Sequence, residues 1–138
     1  MKLARLFCRA TLAQMSLPGP SDKPLLLHNP FCSKSRRAHA LLKSKGIVFQ
    51  ERRYLDEPLD EKELRELTRR LGRSPSEWVR QKEKAFADAG LSESADKEDL
   101  IAAIARHPIL MERPILVKFD HAVICRPPES ILDQLPKR

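Results

Sequence analysis

Short apolar runs and amphipathic stretches follow one another along the chain in an order that predicts an α/β fold. Residues 25–27 (Leu25, Leu26, Leu27) form a continuous apolar run, as a strand covered on both faces does. From Ser33 the period changes to that of a helix. Ser35, Ala38, Leu41 and Leu42 share one face, Lys34, Arg37 and Lys43 point away, and Gly46 stands where a helix end favours a residue of positive φ. Residues 47–54 alternate sufficiently for a second strand. Strand, helix and strand in succession make a right-handed βαβ unit with its two strands parallel.

A helical region comes next. Asp60 and Glu63 have the spacing of a capping box, after which Leu64, Leu67 and Leu71 repeat at helical intervals up to Gly72. Ser74, Pro75 and Glu77 open another helix as N-cap, N1 and N3; it carries Trp78 and Arg80 and is expected to fade by Gly90. Asp96 starts a third helix through Leu100, Ile101 and Ile104, closed by Pro108. Residues 115–119 and 122–125 read as a hairpin around Asp120 and His121. Pro127 and Pro128 stop its second strand, and Ile131, Leu132 and Leu135 form a short closing helix. The expected architecture is a four-stranded mixed sheet with a helical insertion between its halves.

Residues 1–23 stand apart. No acidic residue occurs before Asp22, Pro18, Gly19 and Pro20 break any helix, and Lys2, Arg5 and Arg9 are interspersed with Leu3, Leu6 and Phe7 in a loose amphipathic pattern. The apolar run is too short for a secretory signal. This basic stretch is expected to be a disordered extension, or to reflect a start codon placed upstream of Met15, with residues 24–138 as the single domain.

Composition adds limits. The 138 residues suffice for one core, and 41% hydrophobic with 33% charged residues is ordinary for a soluble domain. No apolar run approaches the length of a membrane span. The net charge of +7 is partly concentrated in Lys2, Arg5, Arg9 and Lys23, and elsewhere acidic residues are mixed through the basic ones. That pattern predicts no nucleic-acid footprint and suits a small anionic substrate. Cys8, Cys32 and Cys125 form no CxxC and no metal-ligand spacing, so no zinc site and no disulfide framework are expected, and the protein is placed in the reducing cytoplasm. Cys8 is read as a small buried hydrophobe.

Candidate chemistry centres on Cys32. At the start of a helix it faces free N–H groups and the positive end of the dipole, both of which favour thiolate over a thiol whose ordinary pKa is about 8.5. A protonated His28, nearby arginines and a hydrogen bond from Ser35 would act in the same direction. Arginine is the residue suited to hold an oxyanion beside that thiolate, because its planar fork binds such groups bidentately.

The stretch HNPFCSKSR around Cys32 resembles the signature loop of the glutaredoxin-coupled arsenate reductase family. WVRQKEKAF from Trp78, HPILMERPILV from His107 and ICRPPESIL from Ile124 resemble its remaining blocks, in order. CSKSR, RQKE, LMERP and RPPE are most similar to a bacterial arsenate reductase-like branch. The resemblance implies a thioredoxin-like fold, with Cys32 as nucleophile, His28 as the histidine of the loop, and Arg80, Arg113 and Arg126 as the arginines that hold the oxyanion. It also implies a cis bond at Pro114.

Ser35 replaces a second cysteine, so an external thiol must complete any reaction of Cys32. The resemblance implies glutathione as co-substrate and glutaredoxin as partner, with no bound cofactor or metal: Cys32 attacks arsenate, glutathione reduces the adduct, arsenite leaves, and glutaredoxin resolves the remaining disulfide. Cys125 is read as packing rather than as a backup resolving thiol. His39, His107 and His121 are read as structural or surface residues, and Arg65, Arg69, Arg70 and Arg73 as a solvated face. Two other functions fit the same scaffold. One is a general glutathione-dependent thiol-disulfide reductase, which needs no arginine trio; the other is a redox-responsive RNA polymerase-binding regulator, which typically carries CxxC.

Overall fold

A computed structural model describes residues 17–135. The tail pattern of Lys2 to Arg9, and with it Cys8, lies outside the described residues.

The apolar run at residues 25–27 becomes the central strand. β1 (Leu25–His28) is buried along its whole length. It pairs in parallel with β2 (Gln50–Arg53), Leu25 opposite Gln50 and His28 opposite Arg53. On its other side it pairs antiparallel with β3 (Ile115–Val117), Leu27 opposite Ile115, and β3 pairs antiparallel with β4 (Ala122–Ile124). The order β2-β1-β3-β4 gives the expected mixed four-stranded sheet.

Alternation along these strands divides the core in two. Leu25, Leu27, Ile115 and Val117 face a larger cluster with Tyr54, Leu64, Leu67, Trp78, Ile101 and Ile104. Leu26 and Leu116 face the opposite way, onto Ala38, Leu42, Cys125 and Ile131. Successive residues of β1 therefore both need apolar side chains, and each buried leucine contributes roughly 1.5–3 kcal/mol.

Helix α1 (Ser33–Ser44) covers the smaller cluster with Ser35, Ala38 and Leu42. Gly46 follows it at φ 68°. Helix α2 (Glu61–Leu71) opens with the expected capping box, Asp60 accepting from the Glu63 N–H at 2.7 Å, and ends at Gly72 in the left-handed region, φ 67°. Glu63 also pairs with Arg52 of β2 at 2.7 Å, and that guanidinium, only 4% exposed, donates further to the carbonyls of Glu57 and Pro58.

The helix expected from Pro75 to Gly90 is broken. α3 (Pro75–Trp78) is a single turn, and Val79 then adopts extended geometry at φ −79°, ψ 141°. Val79 forms an isolated antiparallel bridge with Met111; the Arg80 N–H donates to the Leu110 carbonyl at 2.7 Å and the Glu112 N–H to the Trp78 carbonyl at 3.1 Å. This long-range pairing takes the backbone groups that a continuing helix would need. Helix α4 (Lys84–Asp88) restarts beyond it. Helix α5 (Lys97–Arg106) is capped by Asp96, as expected.

Other boundaries also move. β2 begins at Gln50 rather than residue 47, since β1 offers four residues to pair, and β3 and β4 are similarly shorter than their apolar runs. The closing helix is a 3-10 segment, Pro128–Gln134, which places Ile131 over α1.

Candidate active site

Cys32 is the N-cap of α1, in extended geometry at φ −100°, ψ 124°. Its N–H donates to the Asn29 carbonyl at 3.0 Å, closing a turn after β1, and its own carbonyl accepts from the Arg36 N–H at 2.9 Å. The thiol is partly exposed. Burial is the largest single influence on its pKa and pushes it up. Hydrogen bonds to the sulfur from the Ser35 main chain, the Arg113 guanidinium and the Lys34 main chain outweigh it, and the Arg113 charge adds to them, so the thiol titrates below its ordinary range.

His28 and Ser35 act differently from the expectation. His28 is buried, and its Nδ1 lies 2.7 Å from the Ser35 Oγ, which also accepts from the Asn29 N–H at 2.9 Å. Burial and the neighbouring His39 hold the His28 pKa below its ordinary value, despite the opposing pull of Glu51. The ring is therefore neutral near pH 7 and supplies no positive charge to the thiolate. The Ser35 hydroxyl is likewise engaged by His28 and Asn29, and only the main chain of Ser35 serves the sulfur. Together the two residues shape the loop.

His39, read from the sequence as a structural or surface residue, belongs to this assembly. Its ring stacks on His28 with centroids 4.8 Å apart, and its Nε2 lies 2.7 Å from Glu51 Oε1. Among the described residues His28, His39 and Glu51 bring potential metal-ligand atoms within 4.8 Å of one another. The rings are inclined by only 24°, so their in-plane lone pairs run alongside rather than converge, and Arg53 occupies the other Glu51 oxygen at 3.2 Å. The arrangement is a hydrogen-bonded stack, not a metal cage.

The three arginines of the sequence blocks gather around Glu112, and Arg113 is the one the structure sets beside the thiol. Arg113 reaches it directly, while its buried Nε and Nη1 have no hydrogen-bond partner among the described residues. The Arg113–Pro114 bond is cis, and so is Arg126–Pro127, which the sequence did not announce. Arg126 Nη1 lies 2.8 Å from Glu112 Oε1 and 3.2 Å from the Arg113 carbonyl. Arg80, carried by the extended segment that interrupts the predicted helix, places its Nε 4.0 Å from the same Glu112 oxygen and its Nη1 2.7 Å from Glu83.

Sequence reasoning missed three neighbours. Glu112 touches all three arginines, since its Oε1 also accepts from the Arg113 N–H at 3.2 Å. Glu83 engages Arg80 from the other side. Tyr54, just past β2, is fully buried with its hydroxyl unpartnered. Burial pushes its pKa up to about 12 against the pull of Arg113, so the hydroxyl stays protonated. A carboxylate beside an arginine and a tyrosine ending a strand are too common to signal a site by themselves. Cys125 is buried among apolar side chains, and burial pushes its thiol up to about 11, in keeping with a packing role.

The ArsC family model matches residues 27–134, from the end of β1 through the closing 3-10 segment. The chain belongs to the ArsC family. It is 44% identical over 110 residues to the uncharacterized protein YfgD of Escherichia coli K12, covering 78% of this chain and 92% of that one. It is 40% identical over 108 residues to an arsenate reductase of Neisseria meningitidis, covering 77% and 92%. The solved arsenate reductase of Vibrio cholerae superposes with a TM-score of 0.77 at 37% identity, over 83% of this chain and 100% of that one. The fold is therefore the thioredoxin-like one of the ArsC arsenate reductases. In this ArsC-family chain the thiol loop belongs to β1 and α1, Arg113 to the approach to β3, Arg126 to the exit from β4, and Arg80 to the insertion.

Proposed function

We propose that the protein reduces arsenate to arsenite through a covalent intermediate on Cys32, with glutathione as co-substrate and glutaredoxin as partner, in the cytoplasm. The observation that carries this reading is the Arg113 guanidinium set beside a helix-capping thiol whose pKa it lowers, while two of its own nitrogens remain unpartnered. Such a group stabilises the thiolate and still has donors for an incoming oxyanion. Arg80 and Arg126 supply further positive charge, tempered by Glu112 and Glu83.

In the first step the Cys32 thiolate attacks arsenic, an S–As bond forms, an As–OH bond breaks, and the leaving hydroxide takes a proton from solvent and departs as water. Glutathione then attacks the Cys32 sulfur. A Cys32–glutathione disulfide forms, the S–As bond breaks, and its electron pair stays with arsenic, which leaves as arsenite. Glutaredoxin returns Cys32 to the thiol by disulfide exchange. The absence of a resolving cysteine at position 35 and the buried, high-pKa Cys125 support an external thiol. Among the described residues no helix is long and apolar enough to cross a membrane.

The test is arsenate-dependent NADPH oxidation by purified protein supplied with glutathione, glutaredoxin and glutathione reductase. Turnover is expected in the wild type and is expected to vanish in Cys32→Ser and fall steeply in Arg113→Ala. No arsenate dependence in folded protein with a reactive Cys32 would overturn the proposal.

A further inference from the structure

Tyr54 lies where the chain leaves β2, beside the turn at Asn29 that carries Cys32, because β1 and β2 run parallel with His28 opposite Arg53. Its ring belongs to the larger core cluster and its exposure is 0%. The hydroxyl lies within the electrostatic reach of Arg113 and Cys32. Asn29 is near enough to help lower the Tyr54 pKa, yet the Tyr54 hydroxyl makes no hydrogen bond of normal geometry among the described residues.

A buried hydroxyl without a partner is costly, and a core position is served as well by phenylalanine unless the oxygen has work to do. The Nε and Nη1 of Arg113 are buried and unpartnered in the same neighbourhood. Three buried, unpartnered polar atoms therefore lie in the neighbourhood of one partly exposed nucleophile. We propose that the Tyr54 hydroxyl is a substrate-contacting donor, which with Arg113 hydrogen-bonds an oxygen of a tetrahedral oxyanion held against Cys32.

This inference rests on reading the site as an oxyanion site and adds a residue to it. A neutral donor has a specific advantage here. The site already contains one thiolate to be kept ionised, and a phenol contributes a hydrogen bond to the oxyanion without carrying charge of its own. A hydrogen bond to a charged acceptor is worth roughly 10–100-fold in binding.

Tyr54 is the one tyrosine in the chain, which makes the experiment direct. Protein labelled with 13C at the tyrosine Cζ is titrated with arsenate, and separately with phosphate, in the absence of reductant. The same additions are tested for protection of Cys32 against iodoacetamide, read by peptide mass spectrometry. At anion concentrations that protect Cys32, the Cζ resonance is expected to shift. In Tyr54→Phe the protecting concentration is expected to rise roughly 10–100-fold, while the thermal midpoint holds or rises and the pH profile of Cys32 alkylation stays in place.

Protection without a Cζ shift, or unchanged protection in Tyr54→Phe, would overturn the role of Tyr54. A loss of thermal stability in Tyr54→Phe with normal protection would mark the hydroxyl as structural and overturn it equally. Anion protection with a Cζ shift but no arsenate turnover would uphold Tyr54 as an oxyanion contact while removing the reductase reading. Absence of any protection in the wild type would remove both.

Discussion

At the scale of single residues, the site depends on what lies within hydrogen-bonding reach of one sulfur. Arg113 is the side chain that most lowers the Cys32 pKa, the other main contributions coming from main-chain N–H groups that substitution leaves in place. In Arg113→Ala the pKa is expected to rise, so the thiolate fraction at pH 7 falls; the pH profile of iodoacetamide alkylation should move to higher pH with a slower rate at neutrality. Replacing His28 by Gln removes no charge near pH 7, and any change in that profile would then reflect loop geometry. Cys125 is expected to stay unlabelled under conditions that alkylate Cys32 fully, as peptide mass spectrometry of native protein would show. Cys32 and the three arginines proposed to serve it could be singled out in the sequence because each sits in a block of recognisable wording. The neutrality of His28 could not, since it arises from burial and from the neighbouring His39, a residue eleven positions away in the helix that follows the strand. Glu112 escaped notice for a related reason: its effect comes from touching Arg80 and Arg126, and neither contact is local in sequence.

At the scale of elements, the joint between β2 and α2 is held by one buried ion pair, Arg52 with Glu63. Glu63 caps α2 through the Asp60 N–H at 3.2 Å and holds the buried Arg52 with both oxygens, at 2.7 and 3.1 Å. Glu63→Gln retains the shape and withdraws the charge from an enclosed guanidinium. It is expected to cost about 3 kcal/mol, measured by urea unfolding, whereas loss of an exposed pair such as Arg37–Glu129 should cost less than about 1 kcal/mol. The caps at Asp60, Gly72 and Asp96 were readable because capping is a contract between residues three or four apart. The break after Trp78 was not. Helical periodicity continues through residues 79–83, and only the pairing of Val79 with Met111, more than thirty residues away, ends the helix. That break is also what brings Arg80 to Glu112, so the least readable element boundary is the one that completes the arginine cluster.

At the scale of the whole molecule, the two ends of the sheet have different tasks. The thiol loop, Arg113 and Arg126 occupy one end; at the other, Arg70 donates to the carbonyls of Pro18 at 2.8 Å and Lys118 at 3.0 Å while pairing with Glu66 at 2.6 Å. Hydrogen bonding from Arg69 above all, with Arg70 assisting against burial, holds the Glu66 carboxyl down at about 2, from an ordinary 4.5. A depressed carboxyl contributes stability that is present above its unfolded pKa and lost as pH falls through the folded one. The wild type is therefore expected to lose resistance to urea between pH 4.5 and about 2, and Glu66→Gln to show a flatter decline over that window. The βαβ unit and the hairpin were readable from the succession of apolar runs, but the pairing of β1 with β3 that joins them was not, nor was the staple through Arg70, because a basic helix face looks solvated until its partners are seen. The separation of the ends matters for how the protein can be handled. The turn from Lys118 to His121 follows Val117, which pairs with Leu25 at the start of β1, while Cys32 follows the end of that strand. A dye or an anchor to a solid support attached at Asp120 would hold every molecule in a common orientation, with the reactive sulfur turned toward the bulk solution and its redox partners.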